Sequence, residues 1–221
     1  MIDGYQIVYL DEMHDILHEV YKLTIAGSMR SENGNKWIMN APGNPCKLDA
    51  AFDNPILRKV SEIPKVRKIA ENYLKTTKLD TYISKFFPML PRKGFSVDWH
   101  QDNHYIKADP TKMVSCDVFL KGATPEMGGL RLIPGSHRAN YAHTKYSHDG
   151  VFQWMQEPVE EIVVDINIPT PFAIIFDVNL VHGCYKNVSD KWRPSIAWEY
   201  KHKGYLPSSH SGHQSQDIYG I

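Results

Sequence analysis

A chain of 221 residues, 42% hydrophobic and 23% charged, is long enough to bury one sizeable core. Its 25 Lys and Arg balance 25 Asp and Glu, which leaves no electrostatic footprint for nucleic acid or an anionic membrane. No apolar run approaches membrane-spanning length, and Met1–Tyr5 lacks the basic and apolar regions of a secretion signal. Three widely spaced cysteines argue for reduced thiols. The expectation is one cytoplasmic domain over 1–221, with no feature that fixes an oligomeric state.

In chain order, Tyr5–Leu10 reads as a strand and Asp11–Ala26 as a helix capped at Gly27, with Ile16, Leu17, Val20 and Leu23 tracing an apolar stripe that should cover a sheet. Residues 28–51 are rich in turn signals and read as a surface loop, or less simply as part of a substrate lid. A second helix over 54–77 has Pro55 in its first turn and Pro64 breaking it in two. From Leu79 the period changes to that of strands: 80–87 alternates, and 112–120 puts Ser115, Asp117 and Phe119 on one face and Val114, Cys116 and Val118 on the other. The first face lines a site and the second packs under the helices.

Val97–Asp102 reads as a strand that presents His100 and Asp102 side by side, an imidazole and a carboxylate on one support. Strands over 171–176, 180–185 and 193–200, separated by turns, carry His182 and Arg193 at equal distances from the turn 186–190, so the two should face one another. His182 is the candidate third ligand among 11 histidines. Two histidines and one carboxylate leave positions open on iron(II) for a co-substrate and dioxygen. A guanidinium nearby grips a carboxylate bidentately, which suits 2-oxoglutarate.

Other groups near the motif read more plainly. Cys184 is a small buried hydrophobe, His137 a structural hydrogen-bonder after a Pro-Gly turn, and His143 and His148 part of an exposed polar excursion. His104, Tyr105, Arg131, Trp198, Tyr82 and Tyr205 are candidates for a pocket mouth. The polar stretch 208–214 is a tail.

Trp99-His100-Gln101-Asp102, the run Gly128–His137, and His182-Gly183 followed by Arg193 together resemble the phytanoyl-CoA dioxygenase family of iron(II)- and 2-oxoglutarate-dependent oxygenases over roughly residues 80–202. The resemblance implies a mainly β double-stranded β-helix, a cupin-like jelly roll, with N-terminal helices packed on one sheet. It implies iron held by His100, Asp102 and His182, and 2-oxoglutarate held at its far carboxylate by Arg193 with Ser195 beside it. Lys85 is the candidate for the iron-proximal carboxylate. The implied reaction is hydroxylation of an unactivated C–H bond of a small metabolite or acyl substrate, releasing succinate and carbon dioxide; a carboxylate at position 102 argues against halogenation. The competing readings are a cupin-like binding protein without oxygenase activity, a zinc hydrolase with the same ligand types, and a nucleic-acid demethylase, which the neutral charge disfavours.

Overall fold

The computed structural model of the protein describes residues 1–28, 37–41, 44–146, 153–155 and 162–211. The chain opens with β1 (Tyr5–Tyr9) and α1 (His14–Ser28), then a hairpin of β2 (Trp37–Ala41) and β3 (Asn44–Asp49), helices α2 (Pro55–Arg58) and α3 (Pro64–Leu74), and β4 (Leu79–Phe87). The second half runs β5 (Val97–His100), α4 (Asn103–Ile106), β6 (Met113–Phe119), β7 (Leu130–Leu132), β8 (His143–Tyr146) and β9 (Gln153–Met155). It closes with β10 (Val164–Asp165), β11 (Phe172–Asp177), β12 (His182–Cys184) and β13 (Ser195–His202).

Two antiparallel sheets form a jelly roll. The larger has strand order β1-β11-β6-β13-β4-β3-β2 and the smaller β10-β7-β12-β5. Alternation along β6 splits the core into two layers. Val114, Cys116 and Val118 join Val66, Ala70 and Leu57 on the outer face, under α2 and α3. Phe119 turns inward and packs with Phe172, Ile174 and Phe176 against Leu130 and Leu132 of the smaller sheet. The helices therefore cover one sheet, as expected, and the space between the sheets is left for chemistry.

Local chemistry explains the helix ends. Asn54 accepts hydrogen bonds from the backbone of Ile56 and Leu57 at the start of α2, beside Pro55 in the first turn. Pro64 opens α3 and breaks the long helix where anticipated, and Lys75 ends it in the left-handed region at φ 53°.

Two expectations are corrected. Helix α1 begins at His14 rather than Asp11 and runs through Gly27, which is no cap: a Cβ there would meet the Trp37 ring at 2.6 Å, so the glycine makes room for an aromatic side chain. Residues 37–41 and 44–49 are not loop but two paired strands that extend the larger sheet, with Leu48 opposite Phe86 and Asp49 opposite Lys85. Pro45 falls where the β2–β3 register shifts, which is where a strand tolerates a residue without an N–H. Among the described residues, no helix is long and apolar enough to cross a membrane.

Candidate active site

Strand β5 ends at His100, and Asp102 adopts φ −53°, ψ −38° at the start of α4. The two side chains are thus not strand neighbours, as alternation predicted; a tight turn after His100 swings the carboxylate round to the imidazole. The turn is fixed by Tyr105 and Ile106, whose N–H groups donate to the Asp102 carbonyl, and by Asn103 N–H donating to Val178 O at 2.8 Å. Strand β12 lies beside β5 with His182 directly opposite His100, and the two rings sit 4.3 Å apart between centroids. Gly183 permits this pairing, since a Cβ there would meet the Val97 carbonyl at 2.7 Å.

The tautomers follow from the second partners. His100 Nδ1 is 2.8 Å from Asp98 O, and His182 Nδ1 is 2.9 Å from Leu180 O. A carbonyl only accepts, so both Nδ1 atoms carry the proton and both lone pairs sit on Nε2. These nitrogens lie 3.6 and 3.8 Å from Asp102 Oδ1, while Oδ2 accepts from Ser115 Oγ at 2.6 Å. One ligand atom from each of the three residues lies within 4.8 Å of the others.

Burial lowers the His182 imidazole to about 4, with the neighbouring His100 adding to it, so the ring is neutral at physiological pH. Burial alone would raise the Asp102 carboxyl, but the imidazoles of His182 and His100 outweigh it and hold it well below the usual carboxylate range. Two imidazoles with Nε2 turned inward and one ionised oxygen donor, oriented from behind by two carbonyls and a hydroxyl, are the donor set of a divalent metal such as iron(II).

The triad opens into a cavity between the sheets, whose wall includes Arg193, Ser195, Lys85, Asp117 and Glu199. Arg193 precedes β13, is 3% exposed, and donates from Nη1 to Ser195 Oγ at 2.6 Å over the Phe119 ring. Its Nε is buried without a hydrogen bond, and burial lowers the guanidinium to about 10. An incompletely bonded buried guanidinium facing a metal-type triad fits the far carboxylate of 2-oxoglutarate. Lys85 in β4 is buried, with Nζ 3.5 Å from Glu199 Oε1.

The registers define the cavity floor. Ser195 pairs with Phe119, Ala197 with Asp117, and Glu199 with Ser115 across β13 and β6, and Lys85 pairs with Ala197 from β4. The floor thus runs from Arg193 over Phe119, past Asp117, to Ser115 beneath the triad. The expected site residues His100, Asp102, His182, Arg193, Ser195 and Lys85 all line this one cavity.

Other expectations are corrected. His143 is not exposed but 6% accessible, accepting from Gln101 N–H at Nε2 and bonding Tyr141 O through Nδ1, so neither nitrogen is available to a metal. His104 does not line the cavity; its ring stacks on His143 at 3.9 Å. Arg131 points away from it, between the rings of Trp99 and Tyr185 at 4.4 and 4.8 Å. His137 does not hydrogen-bond through Nδ1, which is buried with no partner among the described residues. Cys184 lines the cavity as a thiol that burial pushes up, Ser208–Ser211 of the tail form a short 3-10 helix, and His148 and residues 212–214 lie outside the described residues. Sequence reasoning passed over Ser115 as a support for Asp102, and it passed over Glu199. The signal for Glu199 was a lone acid inside the otherwise apolar strand Ile196–Tyr200.

The phytanoyl-CoA dioxygenase (PhyH) family model matches residues 9–195. Dioxygenase trt7 of Aspergillus terreus (strain NIH 2624 / FGSC A1156) is 31% identical over 110 residues, which is 50% of this chain and 34% of that protein. The chain thus spans about a third of that curated relative. Among solved structures, AviO1 from Streptomyces viridochromogenes Tue57 has a similar fold, with a TM-score of 0.70 at 16% identity, covering 93% of this chain and 92% of that one. EctD from S. alaskensis with 2-oxoglutarate and 5-hydroxyectoine gives 0.70 at 18% identity over 91% and 73%. The epimerase SnoN in complex with Fe3+, alpha ketoglutarate and nogalamycin RO gives 0.71 at 14% identity over 100% and 88%.

Proposed function

The chain belongs to the phytanoyl-CoA dioxygenase family, whose cofactors are iron and 2-oxoglutarate, and on that footing we propose that it hydroxylates a C–H bond of a small molecule. His100, Asp102 and His182 hold the iron. Arg193 and Ser195 hold the far carboxylate of 2-oxoglutarate, and Lys85 attracts its other end. Bound iron supplies the activation of dioxygen, coupled to conversion of 2-oxoglutarate to succinate and carbon dioxide.

The protein's part is binding, orientation and exclusion of water. The carbonyls of Asp98 and Leu180 lock both imidazoles with Nε2 inward, and Ser115 holds one Asp102 oxygen so that the other faces the metal position. Phe119, Phe176 and Leu130 give the cavity apolar walls that keep its electrostatic contacts strong. The carboxylate at position 102 occupies the place a halide would need, which favours hydroxylation over halogenation.

The observation that carries this reading is a pair of Nε2 atoms 3.6 and 3.8 Å from one carboxylate oxygen, in the same cavity as a buried arginine. The test is anaerobic titration of the protein with iron(II) and 2-oxoglutarate. A visible charge-transfer band that needs both, and that zinc does not give, is the expected result. Its absence rejects the reading and leaves a binding protein or a hydrolase. For the reaction type, substrate is turned over with labelled dioxygen and excess chloride: one labelled oxygen in the product is expected, and a chlorinated or unlabelled product contradicts hydroxylation.

A further inference from the structure

The cavity carries more acid than the proposed chemistry uses. Asp102, Asp117 and Glu199 put three carboxyl groups on its wall against two cations, Lys85 and Arg193. With both acids ionised the wall carries one negative charge in excess, and because divalent iron and the dianion 2-oxoglutarate cancel one another, loading the pocket does not remove it. A buried charge without a counter-charge is expensive, and its surroundings favour whatever neutralises it.

The two unused acids are adjacent. Glu199 pairs with Ser115 across β13 and β6, and Asp117 lies two residues along β6 from Ser115, so both side chains flank the hydroxyl that supports Asp102. Glu199 is 2% exposed; Lys85 approaches its Oε1, while Oε2 is buried without a hydrogen bond. Asp117 forms no hydrogen bond or ion pair among the described residues, although it faces the cavity. The single charge of Lys85 does not balance both acids and a carboxylate of 2-oxoglutarate together. Burial raises both carboxyls, Glu199 to about 8 and Asp117 to about 7, so protons neutralise them in part while the pocket is empty, and a cationic group binds by taking the place of those protons. The same cavity wall includes the apolar side chains of Phe87, Phe95, Met89 and Val97.

We propose that Asp117 and Glu199 form a substrate-recognition subsite for an ammonium group carried on an apolar body, so that the substrate is an alkyl or aralkyl amine. This rests on the reading of the pocket as an oxygenase site. The amine supplies the charge that the pocket lacks, donates to the open Glu199 oxygen and to Asp117, and lays its carbon chain along the phenylalanines. A carboxylate-bearing or acyl substrate would add to the excess.

The test compares hexylamine, 1-hexanol and hexanoate by calorimetry, under anaerobic conditions, on protein loaded with iron(II) and 2-oxoglutarate. Hexylamine should bind about ten-fold or more tighter than 1-hexanol, with hexanoate weakest. The amine's advantage should shrink to about three-fold or less in Asp117→Asn, and likewise in Glu199→Gln, which serves if the first variant does not fold. Amine and alcohol of equal affinity, no measurable binding of the amine, hexanoate as the tightest ligand, or an advantage unchanged in the folded variants would each overturn the proposal. Equal affinity would mean that a proton neutralises the acids instead. The loading step reports separately on the oxygenase reading: failure to take up iron(II) and 2-oxoglutarate refutes that alone, and hexylamine is then compared with 1-hexanol only on unloaded protein, where the same two acids predict the same preference and the open Arg193 would draw hexanoate.

Discussion

Arg193 is buried, with one guanidinium nitrogen lacking a hydrogen-bond partner among the described residues, a cost that an anionic ligand relieves. Arg193→Ala should raise the 2-oxoglutarate dissociation constant by tens-fold or more, in line with about 2–5 kcal/mol for truncating one partner of a buried charge pair. Arg193→Lys should recover only part of that, because an ammonium has no planar fork. An unchanged dissociation constant in the Ala variant removes Arg193 from the site. Among the histidines, His182→Ala should abolish stoichiometric iron(II) binding. His143→Ala should keep it while losing about 1–3 kcal/mol of stability, since it strands the buried Gln101 N–H that His143 accepts. Metal analysis and denaturant unfolding on both variants decide this, and the reverse pattern would contradict the ligand assignment. These residues were legible because a histidine and an acid two apart, a distant histidine and an arginine form a pattern that chemistry recognises. Ser115 was not, because a serine on a strand looks alike whether or not a carboxylate leans on it.

At the scale of elements, the sequence showed faces better than ends. Alternation in β6 divides site from core as read, because burial on both sides imposes a period of two whatever lies nearby. Strands β2 and β3 were hidden among the turn signals of residues 28–51, which say nothing of how much strand lies between them. The His100–Asp102 spacing was read on the right residues for the wrong reason: a strand was assumed where the chain turns, and no local pattern says that β5 stops at His100. His143 looked exposed because its neighbours are polar, while tertiary packing buries it against Gln101. Gly183 gives an element-scale test. Gly183→Ala would push a methyl against the Val97 carbonyl and spread β12 from β5, at about 1–3 kcal/mol. Metal affinity should fall at least as far as stability, measured by iron(II) titration beside urea unfolding; full metal affinity in a destabilised variant would show that the two strands do not set the ligand spacing.

For the molecule as a whole, a ligand that binds only the folded state stabilises it by mass action, about 2.7 kcal/mol at a hundred-fold excess over its dissociation constant. The thermal midpoint should therefore rise with added iron(II), rise again with 2-oxoglutarate, and fall back with a chelator; a midpoint indifferent to metal would count against a site preformed in the native fold. The stabilisation should also be uneven. His100 and His182 belong to the smaller sheet, whereas the Asp102 carboxylate is fastened by Ser115 to the larger one. A metal held by all three is a clasp between two leaves, so amide exchange should slow most where β5 and β12 face β6 and least in α1. The same clasp ties the two leaves at one point of the cavity: an ion drawn to all three ligands holds the walls on either side of it at the spacing that a substrate has to fit.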